Sequence, residues 1–175
     1  LATYYYVFNV TRPPFDNPKV RKAFTLALDR RAIIRNVAKG EQQPALAFVP
    51  PGLADAEPGS EFRQTGGDYF RDNDVETARK LLAEAGYPGG RGLPPVTLIY
   101  NTSEGHKAIA EAAQEMWKKN LGVDVALMNQ EWKVFISTRN KGDFQIAREG
   151  WVGDYPDPLT FINLFTTGSG NNTAQ

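Results

Sequence analysis

The residues best suited to chemistry crowd into a short stretch near the C-terminus, Gly150-Trp151-Val152-Gly153-Asp154-Tyr155-Pro156-Asp157-Pro158, which follows closely on Arg148. Asp157 and Pro158 read together as a helix N-cap and first-turn proline. Asp154 has no such assignment: it either closes an Asx-turn or, placed in a cleft, accepts hydrogen bonds from a ligand ammonium group. Trp151 either packs in the core or supplies flat apolar area beside that carboxylate. Arg148 shares a predicted strand face with Phe144 and Ile146 at period two. A guanidinium there cannot shed its charge, so it must meet a carboxylate, a carbonyl cluster or a ligand anion. Arg139 lies on one helical stripe with Trp132, Phe135 and Ile136, and is either a solvated helix-end cation or, like Arg148, in need of an anion. His106 falls at the start of a predicted helix, where it is a surface side chain or, when protonated, a donor to a carboxylate.

Catalysis finds little support in the same residues. The chain has no Cys, which excludes disulfides, thiol nucleophiles, iron–sulfur clusters and cysteine-bound zinc. A single His excludes poly-His metal sites and leaves any Ser-His-Asp arrangement one possible base. There is no Gly-x-Ser-x-Gly elbow and no acidic run with metal-loop spacing. The glycines at Gly66-Gly67 and Pro88–Gly92 lack the spacing of a phosphate loop and read as turns. The expectation is a binder rather than an enzyme, without cofactor or metal. Twenty Lys+Arg balance twenty Asp+Glu, so neither nucleic acid nor an anionic membrane is an expected partner. No apolar run reaches the roughly 18 residues of a membrane helix.

The elements that must hold these side chains follow from periodicity. Residues 3–10 (TYYYVFNV) are aromatic and β-branched and read as a strand. Asn17 and Pro18 open a helix with Val20, Ala23, Phe24, Ala27 and Leu28 on one stripe, and Asp29 caps a second, carrying Ile33, Ile34 and Val37, that Gly40 stops. Residues 41–72 are rich in Gly, Pro and acidic side chains and read as an irregular, surface-lying excursion. Asp74 caps a helix that ends at Gly86. From 96 to 149 the prediction is strand, helix, strand, helix, strand: VTLIY, a helix capped by Ser103 and ended by Gly122, VDVALM, a helix over 131–139, then FQIAR. Pro158 opens a last helix through Phe165, before the polar end GSGNNTAQ. A βαβαβ unit implies an α/β fold with a mostly parallel sheet and right-handed crossovers. Ligands of such sheets bind outside the carboxyl ends of the strands, here Asn101-Thr102-Ser103, Asn129-Gln130-Glu131 and Glu149-Gly150-Trp151.

The segments TYYYVFNVTRPPFDNPKVRKAFTLALDRRAII, ARKLLAEAGY, NTSEGHKAIAEAAQEMWKKNLGVDVALMNQEW and GWVGDYPDP, with FINLF and GNNTA, resemble the extracytoplasmic peptide-binding proteins of ABC importers, family 5 of the bacterial solute-binding proteins. The resemblance is strongest to the oligopeptide-binding subgroup and runs along essentially the whole chain. It implies a periplasmic-binding-protein-like fold: a two-lobed clamshell that encloses a short peptide and delivers it to a membrane permease, as a periplasmic or extracytoplasmic lipoprotein. Residues 1–175 would form most of the C-terminal-side lobe, and a chain that starts at Leu1 without Met reads as a processed or excised piece. The resemblance further implies that Asp154 receives the peptide α-ammonium beside Trp151. It places Arg148, Arg139 and His106 against the peptide carboxylate, according to peptide length. Trp132 and Ile136 match side-chain pocket positions, Gly150 and Val152 backbone contacts, and Tyr5 a cleft-facing aromatic. One departure is Val7, where oligopeptide binders often carry Glu after the Tyr triplet. The same scaffold also serves heme, metal chelates, opines or sugars, and a free lobe could act as an interaction or adhesin module.

Overall fold

A computed structural model describes residues 1–174; Gln175, the last residue of the polar end, lies outside the described residues. Strand β1 (Ala2–Phe8) alternates its side chains between two covered faces, which is why it carries aromatics on both. Helix α1 (Pro18–Leu26) begins where predicted: the Asn17 side chain accepts from the Lys19 N–H, and Val20, Ala23 and Phe24 are buried. Asp29 caps α2 (Arg30–Ile33), which widens into a π-turn over Ile34–Ala38. That turn ends at Lys39 in the left-handed region (φ 53°), one residue before the predicted stop at Gly40.

Helix α3 (Phe62–Gly66) is a short turn, and α4 (Val75–Glu84) is capped by Asp74, whose carboxylate accepts from the Thr77 N–H at 3.2 Å. Strand β2 (Val96–Asn101) leads into α5 (Glu104–Leu121), β3 (Val125–Gln130), α6 (Trp132–Asn140) and β4 (Ile146–Val152), and α7 (Leu159–Ile162) runs on into a 3-10 turn over Asn163–Phe165. Ser103 holds the N-cap position of α5, but its side chain makes no capping bond, contrary to expectation. Gly122 ends α5 at φ 72°, and a Cβ there would meet the Gly89 carbonyl oxygen at 2.6 Å, so both backbone conformation and space require glycine. Replacing Asp74 by Ala is expected to cost about 1 kcal/mol in equilibrium urea unfolding, the usual cost of losing an N-cap acceptor.

The four strands run in the order β1-β4-β2-β3. Strand β2 is parallel to both neighbours, β3 and β4, while β1 is antiparallel to β4, so the sheet is mostly parallel as expected. One face packs Tyr6, Phe8, Leu98, Tyr100 and Ile146 against α1, α4 and α5, around a fully buried Trp117. The Trp117 indole N–H donates to the Phe24 carbonyl at 2.9 Å, which ties α5 to α1. The other face packs Val7, Ile99 and Ala147 under Phe135 of α6 and Phe144.

Three expectations are corrected. Strand β4 starts at Ile146 and continues to Val152, because β1 pairs with it over that length, Phe8 with Ile146 through Ala2 with Val152. Phe144 therefore precedes the strand, and it packs on the face opposite Ile146 and Arg148 rather than the same one. The stretch 41–72 is not wholly on the surface either. Ala47, Val49 and Leu53 are buried, and Val49 and Leu53 form a small core with Phe161 that Phe48 and Trp151 pack against.

Candidate functional site

The parallel strands present their carboxyl ends, Asn101, Gln130 and Val152, along one edge of the sheet. Antiparallel β1 brings its first residues to the same edge, so Thr3, Tyr4 and Tyr5 lie beside Trp151, Gly150 and Glu149. Alternation along β4 then sends Arg148 to one face and Glu149 to the other. The edge thus has two compartments separated by the sheet.

In the first, the Arg148 guanidinium stacks over the Tyr4 ring at 5.0 Å from its centre. Its Nη1 donates to Asn101 Oδ1 at 3.5 Å, the limit of a hydrogen bond. Arg148 Nε is buried without a partner, and so is the Tyr6 hydroxyl. Among the described residues Arg148 forms no ion pair. A half-buried cation with unused donors has the chemistry to take up an anion. A Cβ at position 150 would come within 3.4 Å of Arg148 Nη2, so Gly150 keeps that side of the guanidinium open.

His106, in the first turn of α5, places Nδ1 3.4 Å from the Tyr4 hydroxyl. Burial, and secondarily the Arg148 charge, hold the imidazole below its ordinary value of 6.5. Burial also raises the Tyr4 phenol, which keeps its proton. The His106 ring is thus mostly neutral near pH 7. In the tautomer in which Tyr4 donates to Nδ1, Nε2 carries the proton; in the other, Nδ1 donates to the Tyr4 hydroxyl.

The second compartment lies under α6. Arg139 Nη1 reaches both carboxylate oxygens of Glu149 at 3.2 Å. The Glu149 side chain is 8% exposed and that of Arg139 23%. Burial pushes the Glu149 carboxyl above its ordinary value, opposed by Arg139 and then Arg148. The reading of Arg139 as a solvated helix-end cation is therefore corrected: a buried carboxylate, invisible to the helical stripe, takes it up. Tyr5 pairs in register with Glu149 and packs edge-on against Phe48 at 4.9 Å and Phe165 at 6.1 Å. Burial first, then the Glu149 charge, push its phenol far above the usual range. Trp132 stacks on Phe135 at 6.1 Å yet remains 52% exposed, and Ile136 is half-buried beside Phe135.

Beyond the strand end the chain turns sharply. A Cβ at Gly153 would meet Thr160 Cγ2 at 3.2 Å and the Phe161 ring at 3.3 Å. Thr160 Oγ1 accepts from both the Asp154 N–H at 3.0 Å and the Trp151 indole N–H at 3.2 Å, which fixes the turn from within. Asp157 accepts from the Leu159 N–H at 2.8 Å, but the helix N-cap falls at Pro158, one residue later than predicted. The Asp154 carboxylate is exposed and has no hydrogen bond or ion pair among the described residues, so it closes no Asx-turn. Val152 is 68% exposed on the same rim. The structure thus gathers Tyr5, His106, Arg148, Gly150, Trp151, Val152 and Asp154 along one edge, with Trp132, Ile136 and Arg139 on the helix beneath. Tyr4, Asn101, Glu149 and Thr160 are additions. Tyr4 and Glu149 become legible only once the β1–β4 register is known, because that pairing brings them to the edge.

A mostly parallel sheet with polar and charged groups gathered at its carboxyl edge is the ligand-binding arrangement of open α/β folds. Residues 1–173 match the family described as bacterial extracellular solute-binding proteins, family 5 Middle, and the chain belongs to that family. It is 48% identical over 175 residues to the oligopeptide-binding protein OppA of Bacillus subtilis (strain 168), covering 98% of this chain and 31% of that protein. The structure of the Escherichia coli murein tripeptide binding protein MppA superposes with a TM-score of 0.86 at 41% identity, over 99% of this chain and 33% of that one. Haemophilus influenzae OppA in complex with RPPGFSPFR superposes with a TM-score of 0.81 at 39% identity, over 99% and 34% of the two chains. The chain spans about a third of the length of these relatives, which are binding proteins rather than enzymes.

Proposed function

We propose that this chain is one lobe of a receptor that captures short peptides in an interlobe cleft and hands them to an ABC permease, outside the cytoplasmic membrane and anchored there as a lipoprotein. The observation that carries this reading is a pair of unsatisfied opposite charges on one sheet edge, Arg148 and Asp154. At roughly 3.3 Å per extended residue, six positions separate them by at most about 20 Å, which bounds the ligand to a few residues between its α-ammonium and its α-carboxylate. Asp154 takes the ammonium; Arg148, with the neutral His106 as an additional donor, takes the carboxylate. Exposed Gly150 and Val152 lie where an extended backbone would run, and Trp151, Trp132 and Ile136 offer apolar surface to its side chains. Both ligand ends are charged, and closing a second lobe over the edge strengthens both contacts by excluding water. The peptide-binding relatives support the same ligand class.

The test is mass spectrometry of the small molecules released from the intact receptor on denaturation. Short peptides are expected; a heme, metal chelate, opine or sugar would overturn the reading.

The neutral state of His106 carries a pH signature. An anion beside the ring favours the imidazolium, so binding draws in a proton and peptide affinity rises as pH falls toward the lowered His106 value. The sign for stability is opposite: the unfolded chain takes the proton more readily, so His106 costs nothing above 6.5 and destabilises the lobe as pH falls below it. Calorimetry in buffers of different ionisation enthalpy reads the uptake directly, and His106→Gln is expected to abolish it.

A further inference from the structure

The edge carries two guanidiniums, yet only one is free. Arg139 is held through Nη1 by both oxygens of Glu149 at 3.2 Å, on the α6 side of the sheet. Arg148 projects to the opposite face and meets no carboxylate among the described residues. Arg139 also shares its helical stripe with Trp132 and Ile136, and its side chain keeps 23% exposure, so a ligand side chain that settles on that stripe reaches it. What such a side chain meets there is a charge pair summing to zero rather than a cation.

We infer that Glu149 is a specificity-determining residue: by neutralising Arg139, it makes the compartment under α6 indifferent to charge, so peptides are held by their termini and acidic side chains gain nothing there. This rests on the peptide reading above. Glu149 does not touch the ligand in this scheme; it acts through Arg139, as a positioning residue. Substituting Gln keeps the size of Glu149 and one acceptor oxygen for Arg139 Nη1, turns the other oxygen into an NH2 donor and removes the charge, which unmasks Arg139 as a cation in a partly dry pocket. Such a cation selects for Asp or Glu and against Lys or Arg.

The experiment uses the intact receptor and trialanine, with Asp or Lys substituted at each position in turn, measured by calorimetry for wild type, Glu149→Gln and the Glu149→Gln/Arg139→Gln double variant. Wild type is expected to bind Asp- and Lys-containing peptides within a few-fold of trialanine. The Glu149→Gln variant is expected to prefer Asp over Lys by roughly 10-fold or more at one position, the scale of a close unscreened charge pair. The double variant is expected to return to the wild-type profile. If Glu149→Gln merely loosened the fold, it and the double variant would lose affinity for all peptides alike with no preference for Asp, and the inference would be overturned. A wild type that binds trialanine while Glu149→Gln shows no charge preference overturns it too. A wild type that binds none of the peptides contradicts instead the peptide reading on which it rests.

Discussion

Arg139→Ala is expected to destabilise the lobe by about 3 kcal/mol, the low end of the range for removing one partner of a buried ion pair. The substitution leaves Glu149 buried opposite Tyr5 with its main counter-charge gone. The low end applies because Arg139 retains 23% exposure, so water already shares in its solvation. The pH dependence follows from the direction of the Glu149 shift. Its carboxyl is raised in the fold above the ordinary 4.5, burial outweighing Arg139, so the group favours the fold most below 4.5 and that contribution is lost as pH rises through its folded value. Without Arg139 the carboxyl rises further and the loss extends toward neutral pH. The deficit of Arg139→Ala measured by urea unfolding should therefore shrink between pH 7 and pH 5. A deficit below about 0.5 kcal/mol at pH 7, the range of an uninvolved surface residue, would contradict the assignment of the pair as structural.

The opposite pattern is expected for Asp154→Ala and Arg148→Ala: near-normal stability and a large loss of ligand. The Asp154 carboxylate supports nothing in the fold, since its turn is held by its own N–H and the Trp151 indole donating to Thr160. Arg148 contributes a stack on Tyr4 at 5.0 Å, worth about 0.5–1 kcal/mol, partly offset because its orphaned Nε goes with it. On binding, each group meets an oppositely charged terminus in a closed cleft. Losing one partner of such a desolvated pair costs about 2–4 kcal/mol, or roughly 30- to 1000-fold in affinity. Unfolding of either variant with a midpoint far below wild type would mean that the charges serve the fold instead.

Much of the scaffold was legible from the sequence because its signals are local. Asn17-Pro18, Asp29 and Asp74 each sit at a helix start whose stripe follows at helical spacing, and each side chain makes its capping bond. The strand–helix alternation over 96–149 fixed a parallel sheet and hence the edge on which to look. Arg148, Trp151 and Asp154 stood out because a strand guanidinium and an uncapped turn carboxylate need explanation wherever they fall. What escaped depended on partners distant in sequence. Strand β4 runs past Arg148 to Val152 only because β1 pairs with it, and Gly150 alone gives no sign of a strand. Arg139 looked like a solvated helix-end cation because the carboxylate that takes it up sits ten positions away across a turn, on a strand face the periodicity did not show. Val49 and Leu53 lie in a stretch without period, and are buried by contact with Phe161 more than a hundred positions on.

The central claim is that the two unsatisfied charges read the two ends of a peptide. It is tested most directly by calorimetric titration of the intact receptor and its Asp154→Ala and Arg148→Ala variants with one tripeptide in free, N-acetylated and C-amidated forms. The account predicts that acetylation weakens binding to wild type and to Arg148→Ala but not to Asp154→Ala, and that amidation weakens binding to wild type and to Asp154→Ala but not to Arg148→Ala. If acetylation still weakens Asp154→Ala as much as wild type, and amidation still weakens Arg148→Ala as much as wild type, the termini are read by other residues and the account is contradicted.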